Sequence, residues 1–196
     1  MRTWVKTDVS SEPVTVAEVK NFCKINTSSD DTLIATLITS CRKALENYTG
    51  KAFGSQVVYT SLTLEELNRR INENMEGGLI LPRQPVSSVD SVKVIDYEGG
   101  ETSLVKNTDY YIWGLPWGKL IFCNIGGSKK NEVLIEYTVG YGATGCPSLP
   151  ADLKVALLRE ILDAYDKREN ITDENWTEIS GGTKKLVAPY MERRWL

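Results

Sequence analysis

The sequence has no histidine among its 196 residues. That absence excludes Ser-His-Asp and Cys-His catalysis, zinc chemistry of the H-E-x-x-H type and histidine acid–base work together. Carboxylate, lysine or tyrosine chemistry stays open. No two of the four cysteines, Cys23, Cys41, Cys123 and Cys146, are spaced as C-x-x-C. Structural zinc sites use paired short spacings, so the thiols read as reduced and buried, with no metal. No run of about 18 apolar residues exists, so no membrane span is expected. The opening MRTWVKTDVSSEP lacks an apolar signal core, and the chain reads as cytosolic. A surplus of positive charge is also missing: the net charge is -3, against the basic balance of a generic nucleic-acid binder.

What is present is ordinary globular material, 41% apolar and 25% charged. A chain of this length buries roughly 70% of its unfolded surface and needs no staples. The segment TVAE offers Thr15 and Glu18 as a capping box, with Val19, Phe22 and Cys23 on the apolar edge of a short helix ending near Lys24. A longer helix runs from Asp30 to Thr49, with Ser29 as N-cap and acidic residues at its positive end. Leu33, Ile34, Leu37, Ile38, Cys41, Ala44, Leu45 and Tyr48 recur along it at helical spacing, and Gly50 fits the position past its end. This wide stripe predicts burial against a third helix, Ala151 to Glu169, which follows Pro150 at its first position.

Between these helices the chain reads as strand and turn. Ser55–Leu64, Leu79–Leu81, Val89–Tyr97, Thr102–Val105, Tyr110–Trp113, Lys119–Cys123 and Glu132–Val139 are expected strands, with a hairpin turn at Gly99-Gly100. Thr63 and Glu66 suggest a second capping box ahead of a short amphipathic excursion over residues 65–78; an exposed hairpin tip is the alternative. Helices segregated from strands indicate an α+β fold. The N-terminal and C-terminal helices are expected to form a small bundle, with a β-rich antiparallel middle region and a C-terminal tail. The expected organisation is one domain over 1–196: N-terminal helices at 1–54, a β-rich insertion at 55–147, a C-terminal helix at 148–170, and a loop with a docking tail at 171–196.

Candidate chemistry is thin. GYGATG, Gly140 to Gly145, lacks the G-K-[ST] ending of a phosphate loop and reads as a connection. GGSKKN, Gly126 to Asn131, resembles an anion nest but reads as a hairpin turn. The acidic pairs Asp30/Asp31 and Asp173/Glu174 are read as a helix start and a polar loop. Trp113, Trp117, Tyr110 and Tyr111 cluster in a β region without interleaved basic residues, which favours packing in a core or interface over base stacking. No catalytic, cofactor-binding or metal-ligating residue is assigned. The tail differs from an ordinary chain end. It carries Leu186, Val187, Pro189, Tyr190, Arg193, Arg194, Trp195 and Leu196, the composition of an interface hot spot, and these are the expected docking residues, with packing on the chain's own domain as the alternative.

Several segments together resemble one family. EPVTVAEVKNF, then LIATLITSCRKALENYTGKAF, ILPRQPVSSVDSVKVID, VLIEYTVGYG, LPADLKVALLREILDAY and LVAPYMERRW stand in an order and spacing similar to those of tailed-bacteriophage head–tail connector proteins, the adaptor or head completion family, over roughly 12–195. The excursion over 65–78 is longer than that pattern needs. The resemblance implies a structural protein without enzymatic activity or cofactor. It implies a ring of copies, twelve-fold in the virion, below the portal protein, extending the DNA channel to the next neck or tail protein. Double-stranded DNA would pass without sequence-specific binding. The location would be the virion neck, with the host cytoplasm as the place of assembly. The other readings are another neck component (head-closure or tail-completion), a nucleic-acid-binding module using the basic tail, and an enzyme using carboxylates or tyrosine.

Overall fold

The computed structural model describes residues 1–73, 77–123, 130–167 and 179–191. Its fold is α+β, and the chain divides into two compact units. One comprises Met1–Ser10 with Gly54–Ser148, and the other Ser11–Phe53 with Leu149–Leu196. We call them the β unit and the helical unit.

The helical unit is a bundle of α1 (Val16–Cys23), α2 (Asp31–Thr49), α4 (Ala151–Asp166) and α5 (Gly181–Val187). Helix α1 starts as its sequence dictates. The Thr15 hydroxyl accepts from the Glu18 amide at 3.2 Å, the Glu18 carboxylate accepts from the Thr15 amide at 2.9 Å, and Lys24 ends the helix with φ 59°. Helix α2 begins one residue later than expected. Asp30, not Ser29, holds the N-cap position without a side-chain bond, and Gly50 closes the helix at φ 69°. Helix α2 packs on α4, and α1 packs on both.

The apolar stripe of α2 divides in two. Ile34, Ile38, Cys41 and Leu45 are buried, whereas Leu37 is half-buried and Leu33, Ala44 and Tyr48 are exposed. The expectation that the whole stripe is buried is therefore corrected: one side faces the bundle and the other faces solvent. Pro150 is the N-cap of α4 and not its first turn, in an extended conformation with ψ 144°. Helix α5 is a further departure, because a Gly-Gly pair opens it. The Ser180 hydroxyl accepts from the Thr183 amide at 3.3 Å, and Thr183 and Val187 are fully buried where α5 packs on α4. Burial overrides the poor helical propensity of glycine.

The β unit holds a five-stranded antiparallel sheet in the order β1-β2-β8-β4-β5. Its strands are β1 (Arg2–Thr7), β2 (Gln56–Thr63), β8 (Lys130–Val139), β4 (Val86–Asp96) and β5 (Glu101–Ser103). Residues 2–7, grouped with the helices by sequence, form an edge strand against β2. On the inner face Val58 pairs with Tyr137, Leu62 with Val133, and Val92 with Ile135, all nearly inaccessible to solvent. The excursion is helical: α3 (Leu64–Glu73) packs its buried Leu67 toward β2 and β8. The Thr63 hydroxyl accepts from the Glu66 amide, but the Glu66 carboxylate binds Arg70 and the Met1 amino group, so only half of a capping box forms. A second sheet has the order β3-β7-β6, from β3 (Leu79–Ile80), β7 (Lys119–Phe122) and β6 (Tyr110–Trp113). Glycine is required at two close approaches. A Cβ on Gly118 would sit 1.8 Å from the Trp113 carbonyl oxygen, and one on Gly140 would sit 1.8 Å from that of Gly54.

Candidate functional site

Among the described residues, the acidic pair at the start of α2 is held in structural contacts. Asp30 accepts from the Tyr165 hydroxyl, and Asp31 pairs with Lys20 at 2.8 Å. The GYGATG segment follows β8 as turns, with Gly140, Gly142 and Gly145 at positive φ. Residues 173 and 174, and most of the GGSKKN segment, lie outside the described residues. Among the described residues no cluster of three or more Cys, Asp or Glu side chains is arranged to hold a metal ion. The cysteines are free, but the expectation of burial holds fully for Cys41 alone. Cys23 and Cys146 are half-buried and Cys123 is exposed. Burial, reinforced by Glu160 and Asp163, pushes the Cys41 thiol up to about 12, which leaves it protonated and unreactive.

The most charged interior lies in the helical unit. Arg42 is 1% exposed, yet its guanidinium is fully engaged on α2 and on the segment before α1. Its Nε donates to Glu12 at 2.7 Å and its Nη1 to Glu46 at 3.0 Å. The other Glu46 oxygen accepts the Phe53 amide at 2.8 Å, and Glu12 also accepts from the Thr39 hydroxyl at 2.8 Å. A charge so placed fixes three chain segments and offers nothing to a substrate. On α4, Glu160 accepts from the Thr183 side chain and the Ser180 backbone, which secures α5. Burial raises its pKa, and one of its oxygens has no hydrogen-bond partner.

In the β unit, charge lies on the outer face of the large sheet. Lys6 pairs with Glu136, Lys93 with Glu101 at 2.8 Å, and Thr138 donates to Asp90 at 2.8 Å. Positive and negative groups alternate there, so among the described residues the face carries no cationic stripe for phosphates.

The aromatic cluster separates by strand alternation. Tyr110 points inward and is 4% exposed, while Tyr111, Trp113 and Trp117 are exposed. The tail residues separate too. Val187 is fully buried on α4, Leu186 is half-buried and Pro189 is exposed. Helix α5 ends at Val187, two residues before Pro189, and a 3₁₀ turn over Ala188–Tyr190 follows it. The Tyr190 hydroxyl donates to Asp152 at 3.3 Å. Arg193, Arg194, Trp195 and Leu196 lie outside the described residues. The width of the α2 stripe is legible in the sequence; its exposed side is the part that the bundle leaves uncovered.

A family model for the head completion protein matches residues 12–186, most of the chain. The chain belongs to the head completion protein family. Solved structures share its fold over the full length. A chain from the neck of an empty GTA particle computed with C6 symmetry is 22% identical, with a TM-score of 0.73 over 100% of this chain and 98% of that one. A chain from the virion of a native gene transfer agent particle is 21% identical, with a TM-score of 0.73 and the same coverage. A third, from the neck of a native GTA particle computed with C12 symmetry, is 21% identical with a TM-score of 0.70 and the same coverage. Among curated protein sequences no match is found.

Proposed function

We propose that this head completion protein is a structural part of the neck of a phage-like particle. Copies form a ring below the portal protein, the ring extends the DNA channel, and its far side receives the next neck or tail protein. The chain folds in the host cytoplasm and ends in the virion. The observation that carries this reading is the end-to-end fold match to chains from particle necks, combined with family membership over residues 12–186. The chain's charge is compatible with it. A net charge of -3 and the alternating charges of the outer sheet face favour passage of DNA over capture, since phosphate binding requires a local excess of cations.

The C-terminal tail is the docking element in this reading. Thr183 and Val187 anchor α5 to its own bundle, so the part offered to the portal begins at Pro189 and includes Tyr190, Arg193, Arg194, Trp195 and Leu196. Buried aromatic anchors carry more binding energy than rim charges. The test is imaging of particles made with the full chain and with a chain ending at Ala188. The full chain should appear as a ring in the neck. The shortened chain should fold and fail to join heads to tails. Particles that join normally without this protein, or a contact to a tail protein in place of the portal, would overturn the reading.

A further inference from the structure

Among the described residues, two exposed apolar faces are left unused by the bundle and the sheets. The first is the outer face of the small sheet. Ile80, Lys119 and Trp113 form one row across its three strands, and Tyr111 pairs with Ile121 beside it. Ile80 is 49% exposed, Tyr111 44% and Trp113 60%, and the β6–β7 turn adds Leu115 and Trp117 at 40% and 47%. The one cation in the row, Lys119, is 5% exposed and lies with its amine 4.9 Å from the centre of the Trp113 ring. The face therefore presents ring and aliphatic surface with its charge already screened.

The second face is the solvent side of α2. At 100° per residue, Leu33, Leu37, Ser40, Ala44 and Tyr48 fall within an arc of roughly 80°, about 100° round the helix from the buried Ile34, Ile38 and Leu45. No charged residue interrupts that arc.

We infer that these two faces meet between neighbouring copies: the small-sheet face of one copy packs on the α2 stripe of the next. The inference rests on the ring reading above and adds the surfaces that would build it. Contacts that close a ring are heterologous, so each copy needs two unlike faces that fit each other. Area on the sheet side also supports it. Taking about 200 Å² for a large side chain, the three exposed residues of the sheet face and the two of the adjoining turn together leave on the order of 500 Å² of apolar surface in water. A standard interface buries about 800 Å² per partner, roughly 60% of it apolar, which requires the same amount. Trp and Tyr with a charge-depleted centre are the residue types that dominate such contacts.

The test places a benzophenone side chain at position 113 of the full chain in assembled particles. Irradiation should link each copy to residues 32–49 of a neighbouring copy. Links to residues 110–122 of another copy, links to a different protein, or no links would overturn the pairing. In solution, Trp113→Glu and Leu37→Glu should each be monomeric, with unfolding midpoints near the parent's. Their equimolar mixture should form dimers and nothing larger, because each variant keeps one sound face. Trp113→Phe should assemble as the parent does. A mixture that stays monomeric at about 200 µM, well above the micromolar range expected for such an interface, also overturns the pairing. If imaging finds the ring but the links fall elsewhere, only the pairing fails. If the mixture dimerises but no ring is present in particles, the neck reading fails and the self-contact stands.

Discussion

The helical unit and the β unit handle charge in opposite ways. The helical unit takes it inside: Arg42 is buried between Glu12 and Glu46, and Glu160 is half-buried under α5. Among the described residues the large sheet of the β unit keeps its interior neutral, where the Tyr137 hydroxyl bonds to Thr60 at 2.8 Å and to the Pro82 carbonyl at 3.0 Å, and puts ion pairs on its outer face; the unit's buried cation, Lys119, belongs to the small sheet and lies over the Trp113 ring. The bundle has loop and terminal segments to secure, and a buried bidentate cation secures several at once. A sheet already ties its strands by backbone bonds and needs no interior charge.

The largest expected effect breaks the buried network. Arg42→Ala leaves Glu46 buried without its partner and should cost about 3–5 kcal/mol, read as a drop in the urea midpoint. Substitutions along one helix should then separate its two sides. Leu45→Ala, on the buried side, should cost about 2–5 kcal/mol, and Leu37→Ala on the half-buried side less than about 1 kcal/mol in the monomer. A Leu37 cost equal to that of Leu45 would mean that the stripe is closed. In the β unit, Tyr137→Phe removes two hydrogen bonds of a neutral buried group and should cost about 1–3 kcal/mol.

Titration should sharpen the contrast through its sign. Burial raises the Glu160 pKa, so the stability linked to this group is present at low pH and falls as pH rises through its folded value. Glu160→Gln should therefore raise the unfolding midpoint at pH 7 and leave it unchanged below about pH 4, near the unfolded carboxylate value. Glu136 behaves oppositely. The hydrogen bond from Lys6 lowers its pKa, so its contribution is present above the unfolded value and is lost as pH falls through the lower folded value. Glu136→Gln should shrink the midpoint difference between pH 7 and pH 3 by a small, salt-sensitive amount, because the pair lies on an open surface. A shift of the same sign for both variants would refute the contrast.

Local signals were legible where local chemistry decides. Thr15 with Glu18, Gly50 and the alternation of Tyr110–Trp113 mark elements that short-range bonds define. The misses are long-range. Strand β1 exists because residues 2–7 pair with residues 57–61, and no six-residue pattern announces a partner that far away. Helix α5 begins with two glycines that propensity rejects, and the burial of Thr183 and Val187 decides the outcome. The aromatic cluster could be divided into two faces by alternation, but which face is covered depends on the rest of the β unit. The same holds for α2: periodicity yields the stripe, and only the packed bundle tells which side of it is left over.

Strand β8 is the last of the five in the chain, yet it lies between β2 and β4 near the centre of the large sheet. During synthesis, β1 with β2 and β4 with β5 can each pair early, but these two halves have no shared ladder until residues 130–139 emerge. A ribosome stalled before residue 130 would therefore carry two half-sheets with open edges, each exposing Val58 and Leu62 or Val92 and Val94 to water. Premature termination is therefore expected to give a sticky intermediate and not a smaller working part.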